Sequence, residues 1–219
     1  MNVSRAQRAF AAFIRDPSFP CLGAKGALRQ GGCRVGLYGS LGSAAEAERL
    51  ATDLGEFNES FDNNTKGLTA FAAMFPDQPP ETEISFETSM WKELQSLHEH
   101  DVHAGQWARD ASDDPADPDF SFSFGGRAFF IIGLHPASSR IARRFEMPTL
   151  VFNPRSQFTQ LRDDGRFEPL KSATRARDIA LQGDLNPNLA DFGSSSEARQ
   201  YSGRKVEDDW ACPFHRKAP

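Results

Sequence analysis

The sequence FSFSFGGRAFFIIGLHPASSRIARRFEMPTLVFNP, residues 120–154, carries the strongest strand pattern in the chain. Phenylalanine alternates with serine over residues 120–124, which predicts a half-buried strand with its phenylalanines on one face. Gly125 and Gly126 then provide a tight connection into the apolar run 128–134. We therefore expect these two segments to pair as a β-hairpin.

A histidine and a basic turn follow this hairpin. His135 ends the apolar run, Arg140, Arg143 and Arg144 follow at near-helical spacing, and PTLVFN at 148–153 predicts another strand. A side chain at a strand end is held in a fixed position, and arginine pairs its donors with carboxylates or phosphates. The pattern indicates a site for an anionic ligand. Alternatively, His135 only stabilises its loop and the arginines form surface ion pairs.

Helices are predicted on both sides of this region by apolar residues at helical spacing. The helical segments are 4–15, 43–61, 84–101, 157–162 and 170–181, and the earlier strands are 33–39 and 68–75. The glycine-rich segment 17–32 favours a turn over a regular helix. Without a βαβ rhythm, these elements predict an α+β fold with a mainly antiparallel central sheet, flanking helices and a long irregular C-terminal segment. We expect one domain over residues 1–219.

Composition restricts the function. The chain has 219 residues, a net charge of −5, and 19 phenylalanines against 2 tyrosines. The acidic balance argues against nucleic-acid binding, and no apolar run reaches the ~20 residues that span a bilayer. Cys21, Cys33 and Cys212 form no CxxC pair, which favours free thiols in the cytoplasm. No nucleotide-binding, zinc-protease or serine-hydrolase motif occurs.

Two groups of residues suggest a metal. His100 and His103 in HEHDVH have ligand spacing, but a solvated helix end is the favoured interpretation. A neutral imidazole such as His135, arginines for two carboxylates and a phenylalanine-rich interior together meet the needs of a heme pocket. Cys21 and Cys212 each adjoin a proline, and a thiolate is the other strong ligand of heme iron. Ordinary buried cysteines are the alternative.

Four strings resemble the YqcI/YcgG family: FPCLGAKGALR, FSFGGRAFFIIGLHPASSRIARRFEMPTLVFNPRSQFTQLR, RARDIALQGDLNPNLADFG and SSEARQYSGRKVEDDWACPF. They follow one another along the chain and cover most of it. Members of this family include heme-dependent N-hydroxylases of natural-product biosynthesis, as in the cycloserine and guanitoxin pathways. The resemblance implies a heme b monooxygenase that uses O2 or peroxide on a guanidine or amine nitrogen of an arginine-type substrate.

The resemblance also implies roles for particular residues. His135 is the first choice as iron ligand and Cys21 the second, with Cys212 also open. Arg140, Arg143 and Arg144 are expected to bind the heme propionates. The remaining substrate-binding candidates are Asp191 or Asp178 for a cationic substrate group, and Asn153 and Gln157 for an amino-acid head group.

Two other functions stay open at this point. The protein could bind heme for redox or gas sensing without turnover, or it could be a structural protein whose phenylalanines all form the core. An N-hydroxylase would need an external electron donor, since no flavin or nicotinamide motif is present. The oligomeric state is open, with a homodimer as one option.

Overall fold

The computed structural model describes residues 2–60, 67–77, 79–101, 106–188 and 195–217. These residues form helices on both faces of one five-stranded sheet, so the predicted α+β class is confirmed. The elements are α1 Val3–Arg15, α2 Leu22–Arg29, β1 Cys33–Leu37, α3 Ala44–Ser60, β2 Ala70–Met74, α4 Glu83–His100, β3 Phe122–Phe124, β4 Arg127–Leu134, β5 Thr149–Pro154, α5 Ser156–Asp163 and α6 Phe167–Gln182. In the described part of the chain, no helix has the length and apolar character needed to cross a membrane.

The sheet has the strand order β1-β2-β5-β4-β3 and is mostly antiparallel. Only β1 and β2 pair in parallel among these strands, while β5 and β4 run antiparallel to their neighbours. Parallel neighbours need a long crossover connection, and α3 provides it. The expectation that no βαβ unit occurs was therefore wrong for β1, α3 and β2.

The predicted hairpin of β3 and β4 is confirmed. Gly125 and Gly126 connect the strands with φ values of +57° and +70°. Two positive φ values in succession match the twist of a two-residue hairpin, and glycine adopts them without a steric penalty.

The expectation that β3 is half-buried was wrong. Ser121 and Ser123, on the face opposite the phenylalanines, are buried as well. The Ser123 hydroxyl accepts a hydrogen bond from the Ala108 amide at 3.0 Å, and the Ser121 hydroxyl donates to Glu197 at 2.9 Å. Loop and C-terminal residues therefore cover the polar face of this strand.

Helix α2 forms in the segment that the glycine pattern predicts as a turn. Cys21 caps this helix, because its Sγ accepts a hydrogen bond from the Ala24 amide at 3.4 Å. A Cβ at Gly23 would lie 3.3 Å from Leu68, so the glycine permits close packing of α2 against the rest of the protein. Tertiary packing thus outweighs the low helix propensity of the glycines.

Each strand places alternate residues on opposite faces of the sheet. One face packs against α3 and α4 and includes Phe71, Ala73, Ile131, Leu150 and Phe152. The other packs against α1 and includes Ala70, Ala72, Met74, Leu134 and Val151. These two layers give the sheet two chemically distinct sides.

The C-terminal residues 201–217 are irregular, as predicted, but they contribute to the core. Tyr201 is fully buried, and its hydroxyl accepts a hydrogen bond from the Phe122 amide and donates one to the Phe129 carbonyl. Phe214 is buried in the same cluster. The segment therefore stabilises the β3–β4 hairpin.

We predict that Gly133→Ala destabilises the protein. The new Cβ would lie 2.6 Å from the Phe86 ring and 2.8 Å from the backbone oxygen of Tyr201, so neighbouring atoms must shift. A cost of about 1–3 kcal/mol in the free energy of unfolding is expected, measured by urea denaturation. Gly26→Ala in α2 is the control: its Cβ meets nothing within 4 Å. That variant should be unchanged or stabilised by up to about 1 kcal/mol, and equal effects in both variants would contradict this prediction.

Candidate functional site

A cavity of about 380 Å³ lies between the sheet and the helices on its α1 side. This volume falls within the ~300–1,000 Å³ typical of sites for small molecules and cofactors. Its apolar walls include Phe10 and Ile14 from α1 and Phe130, Ile132 and Leu134 from β4. Period-two alternation along β4 brings these three strand residues to the same wall.

Helix α6 contributes a mixed wall. Its cavity-lining residues follow the spacing of one helix face: Phe167, Leu170, Lys171, Thr174, Arg175 and Asp178. Helices that pack on a core usually turn an apolar stripe inward, whereas most of this stripe is polar or charged. Such a polar face toward a cavity indicates a binding surface rather than a packing surface.

Cys21 borders the cavity at the start of α2. Burial raises the pKa of its thiol, while hydrogen bonds from the amides of Ala24 and Gly23 and the charge of Arg143 act in the opposite direction. A helix N-terminus and a nearby arginine both stabilise a thiolate in proteins. A metal ion bound to the sulfur would displace the remaining proton.

Arg140 and Arg143 also line the cavity, on the turn after β4. Arg140 is buried and pairs with Asp178 at 2.7 Å and with Asp184. The Arg143 guanidinium donates to the carbonyls of Gly133 at 3.0 Å and residue 200 at 3.3 Å. Burial lowers the pKa of Arg143 to about 10, while the Asp178 charge acts to raise it.

Arg144 lies apart from this cavity wall. It is exposed, and its guanidinium donates to the carbonyls of Ser138 at 3.0 Å and Ser139 at 3.4 Å in its own turn. Two of the three predicted arginines are therefore brought together at the cavity, and Arg144 is not.

A carboxylate lies at another part of the cavity wall. Glu197 accepts a hydrogen bond from Ser121, and the wall beside it includes Arg155 and Arg162. Burial raises the pKa of Glu197, while the Ser121 hydrogen bond and the charges of Arg155 and Arg162 act to lower it. The site thus combines an anion with cations in an apolar setting, where charge interactions are strong.

His135 lies on the opposite side of the sheet. It lies two positions after Gly133, so it shares one side of the sheet with Ile131 and Gly133. Its ring stacks on Phe86 of α4 with centroids 4.1 Å apart. The side chain is fully buried, and among the described residues neither ring nitrogen has a hydrogen-bond partner. Burial lowers its pKa to about 4, so the ring is neutral at pH 7.

The remaining predicted site residues lie in different surroundings. Asn153 and Gln157 line the cavity. Gln157 pairs its amide with both backbone groups of Thr69, at 2.9 and 3.1 Å, and the Asn153 Nδ2 donates to carbonyls of β4 and β5. Asp191 lies outside the described residues. Cys212 packs against the aromatic core on the α4 side.

The end of α4 agrees with the solvated interpretation at His100, which is exposed, and differs from it at His98. His98 is buried between aromatic rings, and its Nε2 accepts a hydrogen bond from the Lys217 amide at 3.2 Å. His103 lies outside the described residues. Within the described ranges, no group of three or more His, Cys, Asp or Glu side chains is arranged to hold a metal ion.

Sequence reasoning missed several residues of this wall. The cationic ones are Arg155, Arg162, Lys171 and Arg175, and the acidic one is Glu197. The spacing of residues 167, 170, 171, 174, 175 and 178 would have identified the α6 stripe, had polar residues been counted with apolar ones. Glu197 offers no such signal, because it lies in a short 3-10 turn of an irregular segment.

The chain is similar to known proteins over most of its length. The model of the YqcI/YcgG family matches residues 10–215, which include every residue of the cavity wall named above. The chain is 25% identical over 212 residues to the uncharacterized protein YqcI of Bacillus subtilis (strain 168), covering 91% of this chain and 82% of YqcI. No solved structure matches the chain.

We predict that His135 makes folding stability depend on pH. The folded pKa of about 4 lies below the unfolded value of about 6.5, so the unfolded chain binds a proton that the folded chain does not. Stability from this group is complete above pH ~6.5 and falls by about 2–3 kcal/mol as the pH falls toward 4. His135→Phe, which keeps the stacking on Phe86, should remove this part of the decline in urea unfolding. Parallel pH profiles for both proteins would contradict the prediction.

Proposed function

The chain belongs to the YqcI/YcgG family, and from this premise we propose that its cavity binds heme b and supports N-hydroxylation of a small guanidino or amino compound. One observation carries the proposal: the same cavity wall holds a cysteine at a helix N-terminus, arginines and an apolar lining. A protein with three free cysteines suits a reducing compartment, and we propose the cytoplasm.

The residues present fit a heme group, with Cys21 as the iron ligand. Heme needs one strong protein ligand, apolar surroundings for the porphyrin and donors for two carboxylates. Cys21 borders the cavity, whereas His135 packs on the far side of the sheet against Phe86. The proposal therefore reverses the order of preference inferred from the sequence.

The charge of the cavity supports an anionic ligand. In the described part of the chain, its lining contains six cationic side chains, Arg140, Arg143, Arg155, Arg162, Lys171 and Arg175, and two carboxylates, Asp178 and Glu197. Two of these cations pair with carboxylates outside the lining, Arg155 with Asp119 and Lys171 with Glu168. A cleft lined mainly by one sign of charge attracts ligands of the opposite sign, so the composition of the wall favours a ligand with negative groups. Arg143 is the best-placed propionate donor, because it binds backbone carbonyls while Arg140 already pairs with two aspartates.

When bound, the heme iron would supply the activation of O2 or peroxide, and a thiolate ligand favours cleavage of the O–O bond. With O2, one oxygen atom enters an N–H bond of the substrate and the other leaves as water, which consumes two electrons and two protons. With peroxide, no external electrons are needed. The apolar walls exclude water from the reacting nitrogen.

Glu197 is the group that we propose for a cationic substrate nitrogen. Asp178 is engaged by Arg140 at 2.7 Å, whereas the Glu197 carboxylate accepts a hydrogen bond from the neutral Ser121 hydroxyl at 2.9 Å. Arg155 and Arg162 line the same part of the wall and suit a carboxylate head group. Gln157 is held by Thr69, so its role in the proposal is to position the wall between β2 and α5.

We predict a Soret band when the purified protein is titrated with hemin. Cys21→Ala should shift or abolish the band, because it removes the proposed iron ligand. Cys33→Ala is the matched control, since this cysteine lines the same cavity without a helix N-terminus beside it, and its spectrum should match the wild type. His135→Phe should also keep the band.

A wild-type protein that gains no Soret band with hemin would sink the heme proposal. If His135→Phe loses the band while Cys21→Ala retains it, the ligand assignment is wrong. Heme binding without any hydroxylated product from arginine, other guanidino compounds or amines, tested by mass spectrometry with reductant and O2 or with peroxide, would indicate a binding or sensing protein.

We predict that Glu197→Gln weakens productive binding of a cationic substrate. Loss of a hydrogen-bonded charge costs about 1.5–3 kcal/mol, so KM should rise about 10- to 100-fold with the heme spectrum unchanged. Glu197→Asp, which retains the charge, should recover part of the loss. A KM unchanged in Glu197→Gln would exclude this role.

A further inference from the structure

The first forty-five residues carry a charge opposite to that of the whole protein. They contain six basic residues and one acidic residue, whereas the chain has a net charge of −5. Helix α1 itself contains three arginines and no acid. Such a basic surface can orient an acidic partner. It attracts the partner, while the acidic remainder of the protein surface repels it.

These arginines share the outer side of α1. Ala6, Phe10 and Ile14 form the buried side, and helical geometry puts Arg5, Arg8 and Arg15 roughly opposite, where all three are exposed. We call these three residues the basic face. Throughout the ranges that the structure describes, no guanidinium group of these three arginines forms an ion pair or a hydrogen bond, although the Arg5 backbone amide donates to the Asn2 side chain.

The basic face lies directly behind the cavity. The opposite side of α1 contributes Phe10 and Ile14 to the cavity wall, so the face and the cavity are separated by one helix, about 10 Å in diameter. The next helix, α2, begins at Cys21, also on the cavity wall. A partner bound to the outer side of α1 would therefore be close to the proposed iron ligand.

We propose that the basic face is the docking surface for a small acidic one-electron carrier, an iron–sulfur or flavin protein. The inference rests on the proposed function in its O2 form, which consumes two electrons that this chain has no flavin or nicotinamide motif to supply. The carrier delivers them one at a time. Exposed Val3, beside the arginines, adds an apolar contact, which suits the small interfaces of transient electron-transfer complexes.

Charge argues for this partner over other polyanions. Nucleic acids and anionic membranes extend well beyond a three-arginine face and would meet the acidic remainder of the surface. A small protein can contact the basic face alone. Complementary charge mainly raises the association rate and fixes orientation, and it weakens with salt.

The test is direct binding by isothermal titration calorimetry, with an acidic [2Fe–2S] ferredoxin and an acidic flavodoxin as probes. At low ionic strength we expect the wild type to bind one of them, with affinity falling at least about tenfold near 0.15 M salt. The triple variant Arg5→Glu, Arg8→Glu, Arg15→Glu should lose at least about tenfold in affinity at low salt. Glutamate has a similar helix propensity to arginine, so the fold should persist.

The control reverses three exposed basic residues elsewhere: Arg109→Glu, Arg166→Glu and Lys205→Glu. It changes the net charge equally and should bind the probe like the wild type. Equal losses in both triple variants, or no binding of either probe by the wild type, would overturn the proposal. Equal or tighter binding of phosphatidylserine vesicles or duplex DNA to the same face would also overturn it.

The experiment separates this proposal from the heme proposal. Carrier binding needs no heme, so a Soret band without carrier binding refutes the docking surface and leaves the heme proposal standing. Carrier binding without a Soret band supports the surface and refutes the heme proposal. The triple variant should retain the wild-type hemin titration, because no member of the basic face lines the cavity.

Discussion

Period-two alternation along β4, a strand with packed layers on both sides, is the constraint on which the site depends. Phe130, Ile132 and Leu134 face the cavity, so Ile131 and Gly133 must face α4, and His135 continues on their side. Gly133 has no room for a Cβ because Phe86 and the Tyr201 backbone oxygen occupy that space. A shift of one residue would exchange the two sides of the sheet. Alternation therefore separates the neutral, stacked histidine from the charged cavity.

The cavity side has the opposite chemistry to the α4 side. Aromatic packing fills the space around α4, where His98 and His135 are both buried among rings. On the α1 side, polar and charged residues of α6 replace the usual apolar stripe, and the start of α2 adds a thiol. Charges in such a setting are stable when they are paired, as Arg140 is with Asp178. Cationic side chains outnumber carboxylates on the cavity wall, and this composition is what links the cavity to an anionic cofactor in our proposal.

Local signals in the sequence were sufficient for much of the fold. Gly125 and Gly126 between alternating segments predicted the hairpin, and apolar periodicity predicted α1, α3 and α4 close to their observed limits. Helix α2 could not be predicted, because its stability comes from packing and from the Cys21 cap rather than from propensity. The sequence singled out Arg140, Arg143, Asn153, Gln157 and Cys21, all of which line the cavity. It could not assign His135 to a side, since alternation specifies a side only when the position of the cavity is known.

We propose that Cys21, at the N-terminus of α2, holds heme iron in the cavity on the α1 side of the sheet. The most direct measurement is a crystal structure of the protein with hemin, using anomalous diffraction at the iron edge to locate the metal. We expect iron within bonding distance of the Cys21 Sγ, with Arg143 donating to a propionate. Iron bound to His135, or located outside this cavity, would contradict it.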